Sequence, residues 1–147
     1  MKLYIASDHA GYLLKRDIID KINSVHFIDL GCDTNKSTDY PDYAHKLCGK
    51  ISGDDRGILI CGSGNGVAMS ANKHKNVRAA LCWNKEIATL AVEHNNANIL
   101  TLGARVVGPG VVQNIVKEWL KTPFGGGRHE NRVKKIIDIE MRYLRSV

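Results

Sequence analysis

Five short β-prone runs, "KLYIA" (2–6), "VHFIDL" (25–30), "GILIC" (57–61), "VRAALC" (77–82) and "NILTL" (98–102), alternate with segments whose apolar residues recur at helical spacing. This rhythm constrains the fold more than any other feature of the chain. Parallel strands need crossovers, and strands buried on both faces read as near-continuous apolar runs. The expected class is α/β: a Rossmann-like three-layer sandwich with a five-stranded parallel sheet covered by helices on both faces. Helices are predicted over about 11–23, 41–51, 66–74, 84–94 and 109–121. Pro41 and Pro109 fall near first turns, and Gly53 and Gly103 fall at breaks.

A last amphipathic helix is predicted over about 129–145. Val133, Ile136, Ile137, Met141 and Leu144 form one stripe on it. By that point both faces of the sheet are spoken for, so the stripe is expected to pack on a partner subunit. No linker or internal repeat interrupts the pattern, and 147 residues with 44% hydrophobic content suit one domain over 1–147. No apolar stretch approaches the ~20 residues that span a bilayer, and the start of the chain lacks a signal-peptide pattern. The expected location is the cytoplasm, with no membrane partner.

The net charge of +6 is concentrated late. Between 128 and 147, six cationic side chains (Arg128, Arg132, Lys134, Lys135, Arg142, Arg145) face three acidic ones (Glu130, Asp138, Glu140). Such a segment suits a polyanion, a small phosphorylated ligand or solubility alone. It lacks interleaved aromatics and any nucleic-acid-binding motif, so a nucleic-acid partner is not expected.

Ligands of open parallel sheets gather at the carboxyl ends of the strands. "ASDHAG" (6–11), "CGSGNG" (61–66), and "EHNNAN" (93–98) with "GAR" (103–105) are the candidate loops, and His9 and His94 are expected at the same sheet edge as Cys61. Glycines 62, 64 and 66 let main-chain N–H groups approach an anion; a tight turn needing glycine for packing alone is the alternative. The spacing fits neither the Walker loop nor the dinucleotide fingerprint. Cys61 stands where a helix start would favour its thiolate, although a buried structural thiol has the same sequence signature. Cys32, Cys48 and Cys82 have no such loop after them and are assigned to packing as free thiols. His9 and His94 suit proton transfer, phosphate contact or simple capping. Arg128 and Arg132, four apart, share one helical face, where they make either a phosphate clamp or a solvated basic surface. The six histidines show no metal-ligand spacing, so no metal is expected.

"SDHAGYLLK" (7–15), "DYPDYA" (39–44), "GILICGSGNGVAMSANK" (57–73), "EHNNANILTLGARVVG" (93–108) and "GGRHENRV" (126–133) together resemble the type B ribose-5-phosphate isomerases, a family shared with galactose-6-phosphate isomerase. The resemblance runs nearly end to end. It implies interconversion of ribose 5-phosphate and ribulose 5-phosphate through a cis-enediolate, without metal or organic cofactor, in a homodimer whose active site borrows residues across the interface. By the same resemblance Cys61 is the base, and Ser63 with the main chain of Gly62, Gly64, Asn65 and Gly66 holds the developing oxyanion. His94 is implied as the ring-opening acid, and Asp8 and Asn95 as ligands of sugar hydroxyls. His9, Arg128 and Arg132 correspond to phosphate ligands, the two arginines coming from the partner chain. Arg105 corresponds to a further substrate contact, and Tyr40 to a residue bordering the site. Some members carry a glutamate base at the position of Val67, which itself has no group to take a proton. Three readings remain open: a pentose-phosphate isomerase, a hexose-phosphate isomerase of the same family, and a binding module that keeps the fold. The paired thiol and imidazole argue against the third.

Overall fold

The computed structural model describes residues 1–144. Arg145, and with it the predicted end of the last helix, lies outside them. Five strands form one parallel sheet: β1 (Leu3–Ser7), β2 (Phe27–Asp29), β3 (Arg56–Cys61), β4 (Ala79–Leu81) and β5 (Ile99–Gly103), in the order β2-β1-β3-β5-β4. Helices α1 (Tyr12–Lys21), α2 (Tyr40–Cys48), α3 (Asn65–Ala71), α4 (Lys85–Glu93) and α5 (Pro109–Lys121) are the crossovers and the closing helix, and α6 (Arg128–Tyr143) follows. Each predicted element forms within a few residues of its expected bounds, as frayed element ends allow.

The period-two alternation of the central strands divides the core in two. Leu3, Ile5, Ile58, Ile60, Leu100 and Leu102 face α1, α4 and α5, while Tyr4, Ala6, Leu59 and Cys61 face α2 and α3. On the first side α5 buries Val112, Ile115, Val116 and Trp119 completely, and losing such an indole costs about 3–5 kcal/mol. Arg56 closes this helix: its guanidinium lies 3.8 Å from the Trp119 ring centroid and donates to the carbonyls of Trp119 and Leu120 at 2.7 and 3.1 Å. Burial holds that guanidinium down at about 10. Pro41 and Pro109 sit in the first turns of α2 and α5, where a missing N–H costs nothing, and the Asn84 side chain caps α4 through the Ile87 N–H at 2.8 Å.

Helix α6 stands apart from this packing. Only Val133 is buried on it, whereas Ile136, Ile137, Ile139, Met141 and Tyr143 are exposed. With Val77, Ala79 and Ala80 of the sheet's β4 side, the helix borders an open apolar groove of about 610 Å³. Among the described residues no helix is long and apolar enough to cross a membrane.

Candidate active site

Three adjacent strands deliver side chains to one edge of the sheet. The register sets Ser7 beside Ile60 and Cys61 beside Gly103, so β1, β3 and β5 end level with one another. Past β1 the chain turns at Asp8, whose N–H donates to the Ile60 carbonyl at 3.1 Å and whose carboxylate accepts the Gly11 N–H at 3.1 Å. Past β5, the Ala104 and Arg105 N–H groups donate to the carbonyls of Cys61 and Gly62, both at 2.9 Å. These bonds lash the three loops together, so the edge is preorganised before any ligand arrives.

Between them runs the glycine loop. Gly64 has a φ of +82°, a left-handed conformation costly for any residue with a Cβ, and its N–H donates to the Cys61 Sγ at 3.2 Å. The Asn65 N–H donates to the Ser63 Oγ at 3.2 Å. Two of the loop's main-chain donors are thus engaged inside the loop, one of them directly on the thiol.

Asp8, His9, Tyr40, Cys61, Gly62, Ser63, Gly66 and Arg105 line a cleft of about 340 Å³, within the range of small-molecule sites. A side chain on its floor would displace its walls. A Cβ on Gly62 would stand 2.8 Å from an Arg105 guanidinium nitrogen, and one on Gly66 would stand 2.5 Å from the Tyr40 ring. Val67 is fully buried beside Cys61 in the core and presents no group to the cleft.

His94, Asn95, Arg128 and Arg132 do not line this cleft. The expectation that His94 shares the edge of Cys61 is overturned. His94 caps the end of α4 and precedes β5, and a residue before a strand sits at that strand's amino end. The Gly57 N–H, at the start of β3, donates to the Asn98 carbonyl at 2.9 Å, whereas Cys61 lies opposite Gly103. Five residues of strand, about 16 Å, separate the two levels.

What His94 does meet is the start of α6. The Gly125 N–H donates to the Glu93 carbonyl at 2.9 Å, and the His94 and His129 rings stack with centroids 4.1 Å apart and planes 15° from parallel. Burial, then the neighbouring His94, Arg128 and Arg132, holds the His129 imidazole below its ordinary range against an opposing pull from Glu93. Asn95 lines the apolar groove beneath α6. The predicted residues therefore form two groups on opposite edges of one chain: a thiol cleft, and a basic group of His94, Asn95, Arg128 and Arg132.

Two residues with roles in these groups escaped the sequence reading. His129 lies between the two arginines and carries no motif of its own. Thr38 meets His9 from a position 29 residues away, a contact that no local pattern announces. The remaining thiols are consistent with packing: burial pushes Cys48 and Cys82 up to about 12, and Cys32 is buried with its sulfur 3.2 Å from the Thr34 carbonyl. Among the described residues, no three His, Cys, Asp or Glu side chains gather as a metal site.

A family model described as ribose/galactose isomerase matches residues 3–136. The ribose-5-phosphate isomerase B of Escherichia coli is 40% identical over 145 residues, covering 96% of this chain and 97% of its own. The solved ribose-5-phosphate isomerase B of Clostridium thermocellum superposes with a TM-score of 0.91 at 49% identity, covering 97% of this chain and 99% of that one. That of Mycoplasma genitalium, solved with bound ribulose 5-phosphate, gives a TM-score of 0.89 at 42% identity and covers 95% and 96% of the two chains.

Proposed function

The chain belongs to the ribose/galactose isomerase family, and from that premise we propose that it interconverts ribose 5-phosphate and ribulose 5-phosphate in a homodimer with two shared sites. The observation that carries the reading is the cleft in which the Cys61 thiol, held by the Gly64 N–H, faces Asp8, His9, Ser63 and Arg105. The second group, on the opposite sheet edge, supplies the other half from a partner copy: His94, Asn95, Arg128 and Arg132 of one chain complete the Cys61 cleft of its neighbour. The exposed apolar face of α6, which carries the arginines, is the surface on which the copies meet.

In this scheme His94 protonates the furanose ring oxygen as the C1–O4 bond breaks and the anomeric hydroxyl releases its proton to water, leaving the open-chain C1 aldehyde. The Cys61 thiolate then removes the C2 proton, and the electron pair moves to form the C1–C2 double bond of a cis-enediolate. Ser63 and the loop donors not already engaged hold the negative charge on oxygen, where such donors are each worth about 3 kcal/mol in other enzymes. Returning the carried proton from Cys61 to C1, with the hydroxyl proton passing from O2 to O1, gives the ketose. Asp8 and Asn95 bind hydroxyls, Arg105 adds a substrate contact, and Tyr40 walls the cleft. His9, Arg128 and Arg132 hold the phosphate. The chemistry runs on protein groups alone, in the cytoplasm, without nucleic acid or membrane.

The test is formation of ribulose 5-phosphate from ribose 5-phosphate by the native chain and by Cys61→Ala, in the presence of a chelator. Turnover by the native chain and its loss in the variant are expected. Equal turnover by both would remove Cys61 as the base; no turnover by the native chain would remove the assigned reaction and turn attention to hexose phosphates.

A further inference from the structure

The cleft holds one imidazole of its own, and that imidazole is not free to choose its tautomer. The Thr38 N–H donates to His9 Nδ1 at 3.1 Å, and the His9 N–H donates back to the Thr38 Oγ1 at 3.0 Å. The Thr38 hydroxyl also lies 3.5 Å from Nδ1. In a neutral imidazole one nitrogen carries hydrogen and the other carries a lone pair. A hydroxyl can face either kind of nitrogen, but a main-chain N–H can only donate. Nδ1 is therefore the lone-pair nitrogen, and the hydrogen sits on Nε2. Among the described residues no protein group bonds Nε2, and His9 lines the cleft.

The chain leading to this contact is anchored at two points. Past β2 the chain stays pinned to β1, with the Ser7 N–H donating to the Gly31 carbonyl at 2.8 Å and the Cys32 N–H to the Ser7 carbonyl at 2.9 Å. Fully buried Lys15 reaches out from α1 to the Asp29 carboxylate and the Cys32 carbonyl, both at 2.7 Å. On the other side of Thr38, Asp39 opens α2. Thr38 thus lies between an anchor at Cys32, six residues before it, and the start of α2, where it bonds His9.

We propose that Thr38 is the positioning residue for His9, fixing it as the Nε2–H tautomer so that the cleft offers an anionic oxygen a neutral, directed N–H donor. The identity of that anion as the substrate's phosphate monoester rests on the function proposed above; the tautomer does not. Phosphate recognition is then divided by kind: direction comes from His9 in one chain, and compensating charge comes from Arg128 and Arg132 of the other.

Long-range nitrogen–proton correlation spectra of the full-length, nitrogen-15-labelled protein test this, at a pH above the ordinary imidazole range. The His9 signals are identified by their loss in His9→Gln. A pyridine-type Nδ1 and a pyrrole-type Nε2 that moves on addition of inorganic phosphate are expected. The reverse tautomer, or averaged signals, would overturn the positioning role, and an Nε2 indifferent to phosphate would overturn the donor role. Thr38→Ser, which keeps both groups, should retain the native pattern. Thr38→Pro, which deletes the donor, should mix the tautomers and raise KM for ribose 5-phosphate about tenfold with kcat within about twofold. Should Thr38→Pro fail to fold, the native spectrum decides. Because the spectra need no turnover, failure of this inference and failure of the assigned reaction are separately visible.

Discussion

Two inactive chains should make an active enzyme. Cys61 and His94 lie at opposite ends of the sheet in one chain, about 16 Å apart by the length of β5, which no side-chain rotation bridges. In a twofold dimer each site then draws Cys61 from one copy and His94 from the other. A Cys61→Ala chain paired with a His94→Asn chain carries one site with both defects and one site with neither. Random exchange of equal amounts puts half of the dimers in this mixed state, each with one good site of two, so the mixture should recover about a quarter of native turnover. The assay is ketose formation after joint unfolding and refolding, with native mass spectrometry confirming the mixed species. Either parent refolded alone should stay at background. A mixture that contains mixed dimers yet shows no recovery would refute the division of the site between copies.

Other consequences can be checked separately. Arg128→Ala should raise KM for ribose 5-phosphate by about tenfold or more with a smaller change in kcat, because a charge-assisted phosphate contact is worth about 1.5–3 kcal/mol; an unchanged KM would remove it from the phosphate site. Gly66→Ala forces a methyl to 2.5 Å from the Tyr40 ring, and should lose about 1–3 kcal/mol of stability or displace the ring, with Tyr40→Ala in the same chain relieving most of the loss. The buried Asp55 carboxylate accepts the Lys2 N–H at 2.8 Å and both the Ser52 N–H and hydroxyl at 3.3 Å, and these bonds, the Lys2 N–H foremost, hold it below its ordinary range. A lowered carboxylate contributes stability above its ordinary range and loses it as pH falls through the folded value, so Asp55→Asn should cost about 1–3 kcal/mol at neutral pH and progressively less in acid, as measured by urea unfolding. A cost independent of pH would show that the charge is not what those donors hold.

Much of this molecule is legible before any coordinates. The β-prone run "GILIC" forms a strand buried on both faces, and the surplus apolar stripe of Val133, Ile136, Ile137, Met141 and Leu144 marks α6 as standing apart from the sheet. The cleft too follows from local rules, since Asp8 directly follows β1, Cys61 ends β3 and Arg105 lies two residues past β5. His94 exposes the limit of those rules. It is close in sequence to β5, but which end of the strand it occupies depends on the direction of the chain, and proximity in sequence alone groups it with residues at the far end. Thr38 and His129 were invisible for a different reason: each acts through a contact made by tertiary packing, and neither residue type signals chemistry by itself.

The floor of the cleft is made of main chain, and this bears on how such a protein can diverge. At Gly64 and Gly66 a Cβ would meet main chain or the Tyr40 ring, so replacement at those glycines disturbs the backbone or the wall before it adjusts fit. New preferences, for a sugar one carbon longer or of different hydroxyl configuration, are acquired in the walls: at Tyr40, at Arg105, and, in the proposed dimer, at the first turn of α6. In the proposed dimer, part of that wall stands in the neighbouring copy. A single codon change at α6 would therefore reshape a pocket without touching the thiol's own surroundings, which lets selectivity evolve while the proton-transfer apparatus is conserved.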